Sequence, residues 1–109
     1  MFIDFSAIKE ELELCPRGGE GEFIRKAVVT DEMKILMATL RPGASIGEHT
    51  HTDDCEVIYL LSGSGYSICD GVKEELKAGQ SQYCPKGSTH NLVNNTDEDL
   101  VFFAVLPKQ

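Results

Sequence analysis

Beyond Phe23 the sequence is written in short β-rich runs broken by turn residues at intervals of about ten, and this spacing limits the folds open to it. The runs are Phe23 to Val29, Met33 to Arg41, Ser45 to His51, Glu56 to Leu61, Gly65 to Asp70, Val72 to Lys77, Ser81 to Pro85, His90 to Asn95 and Val101 to Leu106. Between them Thr30-Asp31-Glu32, Arg41-Pro42-Gly43, Ser62-Gly63-Ser64-Gly65, Ala78-Gly79 and Asn94 through Asp99 supply the residues of tight turns. Asp70-Gly71 is the strongest local hairpin signal. Strands this short and evenly spaced build a sandwich or barrel and not alternating α/β units. The predicted class is all-β.

The first 22 residues read differently. Phe5, Ile8 and Leu12 recur at helical spacing, Ser6 can cap a helix and Pro16 must end one, which predicts a short helix over Ala7 to Leu14. Arg17-Gly18-Gly19-Glu20-Gly21 then reads as a flexible joint, dividing the chain into an N-terminal arm, 1–22, and a single barrel domain, 23–109. With 109 residues, 41% of them apolar, the chain can bury one core and no second. A net charge of −8 repels phosphate backbones and anionic membranes, so no nucleic-acid or membrane partner is expected. The longest uncharged stretch, Val57 to Cys69, is 13 residues and includes two glycines and three serines. A bilayer span needs about 20 mostly apolar ones. Met1 to Phe5 carry no basic segment leading into an apolar one, and a cytoplasmic protein is expected. Cys15, Cys55, Cys69 and Cys84 match neither a redox pair nor a zinc ribbon and read as reduced structural thiols. Small barrels leave sheet edges open, and Phe2, Ile3 and Phe5 have little core of their own, so a homodimer is expected.

Three histidines carry the chemistry. On a strand, residues two apart share a face, so His49-Thr50-His51 aims two imidazoles in one direction. Thr52 to Cys55 is long enough to turn the chain, which lets Glu56 return on a neighbouring strand, and His90 opens a later strand just after Pro85-Lys86-Gly87. Three imidazoles and a carboxylate suit one divalent first-row metal: Mn, Fe, Co, Ni, Cu or Zn. Four corners of an octahedron leave two positions for a ligand, whereas a closed tetrahedron around zinc would be structural.

The spacing around these residues is more specific than the residues themselves. Gly43 is followed after five residues by His49-Thr50-His51, after four more by Glu56 and after six more by Gly63; fifteen residues on come Gly79, Pro85-Lys86-Gly87, His90 and Asn94. This resembles the two conserved-barrel motifs of the cupin superfamily, in particular its small single-domain bacterial members of the second type. The resemblance implies a small double-stranded jelly-roll barrel in which His49, His51, Glu56 and His90 bind the metal. Gly43, Gly63, Gly79 and Gly87 would then serve turns, and Pro85 would stiffen the entry to the His90 strand.

If Glu56 and His90 face inward, alternation brings Ile58, Leu60, Leu92 and Asn94 in with them and makes the pocket mostly apolar. Asn94 reads either as a partner of the site or as part of a strand-ending turn. Arg25 could clamp a carboxylate; Gln80, Gln82 and Tyr83 could reach the barrel mouth. Cys55 and Cys84 read as packing residues. Three functions stay open: an enzyme of oxygenase, isomerase or decarboxylase type acting on a small polar metabolite, a non-catalytic module for metal and small ligand, and a barrel that the metal only stabilises.

Overall fold

Buried residues alternate with more exposed ones at Leu36, Ala38 and Leu40, at Glu56, Ile58 and Leu60 and at Leu100, Phe102 and Ala104, which gives the sheet they share a dry face and a wetter one. The computed structural model describes residues 1–109 as ten strands. They are β1 (Glu11–Leu14), β2 (Glu22–Val29), β3 (Met33–Leu40), β4 (Ser45–Thr50), β5 (Glu56–Ser62), β6 (Ser64–Cys69), β7 (Val72–Lys77), β8 (Ser81–Cys84), β9 (Thr89–Val93) and β10 (Leu100–Pro107). Six form one antiparallel sheet in the order β1-β2-β3-β10-β5-β8, and four form a second in the order β4-β9-β6-β7. Two sheets joined by such crossovers make the jelly roll. Between them lies a single core, with Leu40, Leu60, Leu92, Leu100 and Phe102 at its centre and Phe23 stacked on Phe102 at 6.1 Å. No helix is long and apolar enough to cross a membrane.

All nine runs read from the sequence are strands, and Asp70-Gly71 joins β6 to β7 as the hairpin signal required. The helix expected over Ala7 to Leu14 does not form. Instead Phe5–Ala7 makes one 3-10 turn, capped by Asp4 through the Ser6 backbone N–H, and Glu11–Leu14 pairs with β2 as a tenth strand. Leu12 and Leu14 stay exposed while Phe5 and Ile8 are half-buried, so the helical spacing of Phe5, Ile8 and Leu12 makes no common buried face. The open edge of β2 offers a ladder of backbone partners, which outweighs local helical periodicity.

The segment read as a joint is packed against β4. Pro16 is buried, Glu20 exchanges two backbone hydrogen bonds with Ser45, and Gly19 and Gly47 face each other so closely that a Cβ on either would strike backbone: Ser45 from Gly19, Arg17 from Gly47.

Asn94 acts in the turn and not at the histidines. Fully buried, it shares the two hydrogens of Nδ2 among the carbonyls of Leu40 (2.9 Å), Arg41 (3.1 Å) and Glu98 (2.7 Å), and its Oδ1 accepts from the Thr96 N–H and hydroxyl. It ties the end of β9 to the end of β3 and to the turn before β10. Asn94→Ala should cost about 2–4 kcal/mol, since several buried groups lose partners at once. Urea unfolding measures this; a change below about 0.5 kcal/mol would contradict the role.

Candidate metal centre

β4 and β9 pair Ser45 with Val93 and Ile46 with Leu92, then resume with His49 opposite His90. Gly47 and Glu48 therefore stand opposite Asn91 alone, which is a β-bulge. In a regular strand Ile46 and His49 would face opposite ways. The extra residue brings both to one cavity, and alternation past the bulge turns His51 the same way. Glu56 opens β5 in the facing sheet, and Ile58, Leu92, Phe102 and Leu106 are among the residues that line the cavity, about 90 Å³.

Four side chains meet there. The ligating atoms of His49, His51, Glu56 and His90 lie within 4.8 Å of one another, and all but His49 are buried. Glu56 Oε1 is 3.2 Å from His51 Nε2 and 3.0 Å from His90 Nε2, and the two Nε2 atoms are 2.9 Å apart.

The second nitrogen of each ring is anchored. His49 Nδ1 donates to the Gly47 carbonyl at 2.8 Å, His51 Nδ1 to Asp54 Oδ1 at 2.7 Å and His90 Nδ1 to Gln82 Oε1 at 2.9 Å. These oxygens can only accept, so each Nδ1 bears a hydrogen and each ring turns its Nε2 to the common point, where that nitrogen can hold either a proton or a metal ion. The Gln82 amide is oriented in turn, because its nitrogen donates to Glu74 Oε1 at 2.7 Å. Lone pairs converging in this way are satisfied by a proton or by a divalent cation. Burial alone would raise the Glu56 carboxyl, yet its hydrogen bonds and charge pairing with His51 and His90 hold it at about 2. The Glu56 hydrogen bond, against burial, raises His51; burial lowers His49. The donor set fits a divalent first-row metal, with neutral nitrogens, one hard oxygen and no thiolate. Cys84 faces inward in register with Glu56, but burial and Cys69 beside it push its thiol up to about 12, and it remains a packing group. Cys55 is likewise buried, and all four cysteines are free.

Of the other residues singled out in the sequence, Gln82 sits beneath His90 and Arg25 lines the cavity. Gln80 turns back to the Lys77 N–H, and Tyr83 is exposed on the outer face. Asp54 and the Gly47 carbonyl, which orient two of the rings, were not anticipated. A carboxylate three residues after His51 was the available signal for the first; nothing marks a bulge carbonyl in advance.

The fold and this cluster define a class, and comparison with known proteins agrees. The model of the cupin domain matches residues 36–106, and the chain belongs to the cupin family. It is 30% identical over 112 residues to the oxalate-binding protein of Thermotoga maritima, covering 97% of this chain and 93% of that one. A crystal structure of a predicted oxalate decarboxylase from the same organism superimposes with a TM-score of 0.93 at 29% identity, over the whole of both chains. A Schizosaccharomyces pombe cupin domain, 9% identical, shares the fold with a TM-score of 0.79 over 97% of this chain and 72% of that one.

Gln82→Leu should release His90 Nδ1 and mix its tautomers, seen by nitrogen-15 NMR, and weaken binding of manganese by about 10–100-fold with the barrel still folded. Unchanged tautomer and affinity would remove Gln82 from the site.

Proposed function

We propose that this cupin holds one divalent transition metal through His49, His51, Glu56 and His90 and presents it to a small oxygen-donor anion of the oxalate type. The observation that carries this reading is the separation of the donors. Atoms bonded to one ion at about 2.1 Å stand roughly 3.0 Å apart at adjacent corners of an octahedron and roughly 3.4 Å apart at those of a tetrahedron. The three separations, 2.9, 3.0 and 3.2 Å, favour the octahedron, in which four protein ligands leave two neighbouring positions. The cavity opens beside them, with Ile58, Leu92 and Phe102 among its lining residues. The name of the Thermotoga maritima relative, oxalate-binding protein, supports the same ligand chemistry.

When bound, the metal supplies a Lewis acid for a carboxylate or carbonyl oxygen. The chain's own part is to orient three imidazoles and keep Glu56 ionised. A second reading, an enzyme of oxygenase, isomerase or decarboxylase type, is favoured by Glu56, a buried carboxylate able to take a proton if it leaves the metal. Loss of oxalate or uptake of oxygen by the metal-loaded protein would select it; binding without turnover selects the module.

His49→Ala or His90→Ala should reduce metal content, measured on anaerobically purified protein, from about one ion per chain to near none while leaving a cooperative unfolding transition. The apolar core does not depend on either ring. A His90→Ala protein that keeps full stoichiometric metal would overturn the assignment.

We also infer a cytoplasmic homodimer. Tyr59, Leu61 and Tyr83 are exposed on the outer face of the six-stranded sheet, beside Phe103, on which Phe5 packs edge-on at 6.2 Å. A second copy of the same face is the occupant that symmetry favours. Sedimentation should give a dimer at micromolar concentration, and Tyr59→Glu should shift it to monomer; a monomeric native chain would contradict it.

A further inference from the structure

One charged side chain enters the barrel without a settled partner. Arg25 of β2 is in register with Ala38 of β3, which is buried on the inner face, so the Arg25 side chain points into the barrel. It lines the cavity that His49, His51 and His90 line from the four-stranded sheet. Its Nε is buried and has no hydrogen-bond partner, alone among the buried side-chain nitrogens and oxygens of the chain. The carboxylate it meets, Glu13 of β1, lies 3.7 Å from Nη1, too far for a hydrogen bond. A buried donor left without an acceptor is costly to fold and is kept where something other than the fold supplies the acceptor.

The cavity walls agree. Arg17, Arg25 and Lys34 line them against Glu13 and Glu56, an excess of positive charge in a chain whose net charge is −8. At about 90 Å³ the cavity suits a small ligand.

We propose that Arg25 is a second anchor for the ligand. Its Nε–H edge takes the far carboxylate of a small dicarboxylate whose near carboxylate sits at His49, His51, Glu56 and His90. This rests on the metal reading above and narrows its ligand from oxygen-donor anions in general to dianions. A guanidinium edge offers two parallel N–H donors to a carboxylate, which an ammonium cannot reproduce.

The test is calorimetric titration of manganese-loaded protein with succinate and with butyrate, of equal carbon number and one carboxylate fewer. Manganese content and the manganese electron paramagnetic resonance spectrum are recorded alongside. Arg25→Met should weaken succinate at least tenfold, leave butyrate within about twofold and leave manganese content unchanged; Arg25→Lys should fall between Arg25→Met and the native chain for succinate. Equal succinate affinity in native and Arg25→Met proteins, or no succinate binding by the native one, overturns the anchor while leaving the metal reading intact. Failure of the native chain to take up manganese overturns the metal reading and the anchor with it.

Discussion

Two residues of β4, Gly47 and Glu48, face one residue of β9, and the arrangement of the site follows from that mismatch. A regular strand would have put Ile46 and His49 on opposite sides of the sheet. The bulge lets the core side chain and the first histidine share a face, sets His49 directly across from His90, and frees the Gly47 carbonyl to accept from His49 Nδ1. The same backbone irregularity thus delivers a ring, its neighbour and its orientation.

What the bulge does for His49, side chains do for the other two rings. Asp54 and Gln82 hold His51 and His90 by Nδ1, and Gln82 is itself oriented by Glu74 at the barrel surface. Each ring is fixed at one nitrogen so that the other has a single direction to point. This matters more inside a protein than in water, because a buried lone pair that drifts from its partner has no solvent to fall back on. Glu56 supplies the one formal charge at the meeting point, in contact with two rings and carried from the facing sheet.

Much of this was legible in the residues. Short β-rich runs broken by turn residues at intervals of about ten marked nine strands, because a sheet of short antiparallel strands must reverse the chain that often. Strand periodicity set His49 and His51 on one face, and the resemblance to the cupin motifs joined Glu56 and His90 to them. β1 was not legible: its strand character comes from the open edge of β2, a partner that no local pattern of Phe5, Ile8 and Leu12 records. Nor were the anchors. Parity beside a turn does not fix the facing of Gln80, Gln82 or Tyr83, and only the registered pairing of β8 with β5 separates Gln82, inward with Ile58, from Tyr83, outward with Val57. Asn94 kept both readings open until its five hydrogen bonds were seen to be committed to the turn.

The contact between Gly19 and Gly47 carries the site further along the chain than its ligands suggest. Gly19 does not ligate, but a methyl group at position 19 would meet the backbone of Ser45 and Gly47, and the carbonyl that aims His49 belongs to Gly47. The N-terminal segment therefore serves as a template against which the bulge takes its shape. A library randomised only at the four converging residues would leave this template untouched, whereas one that treated residues 17 to 21 as an expendable linker would erode the aim of an imidazole from a position outside both metal motifs.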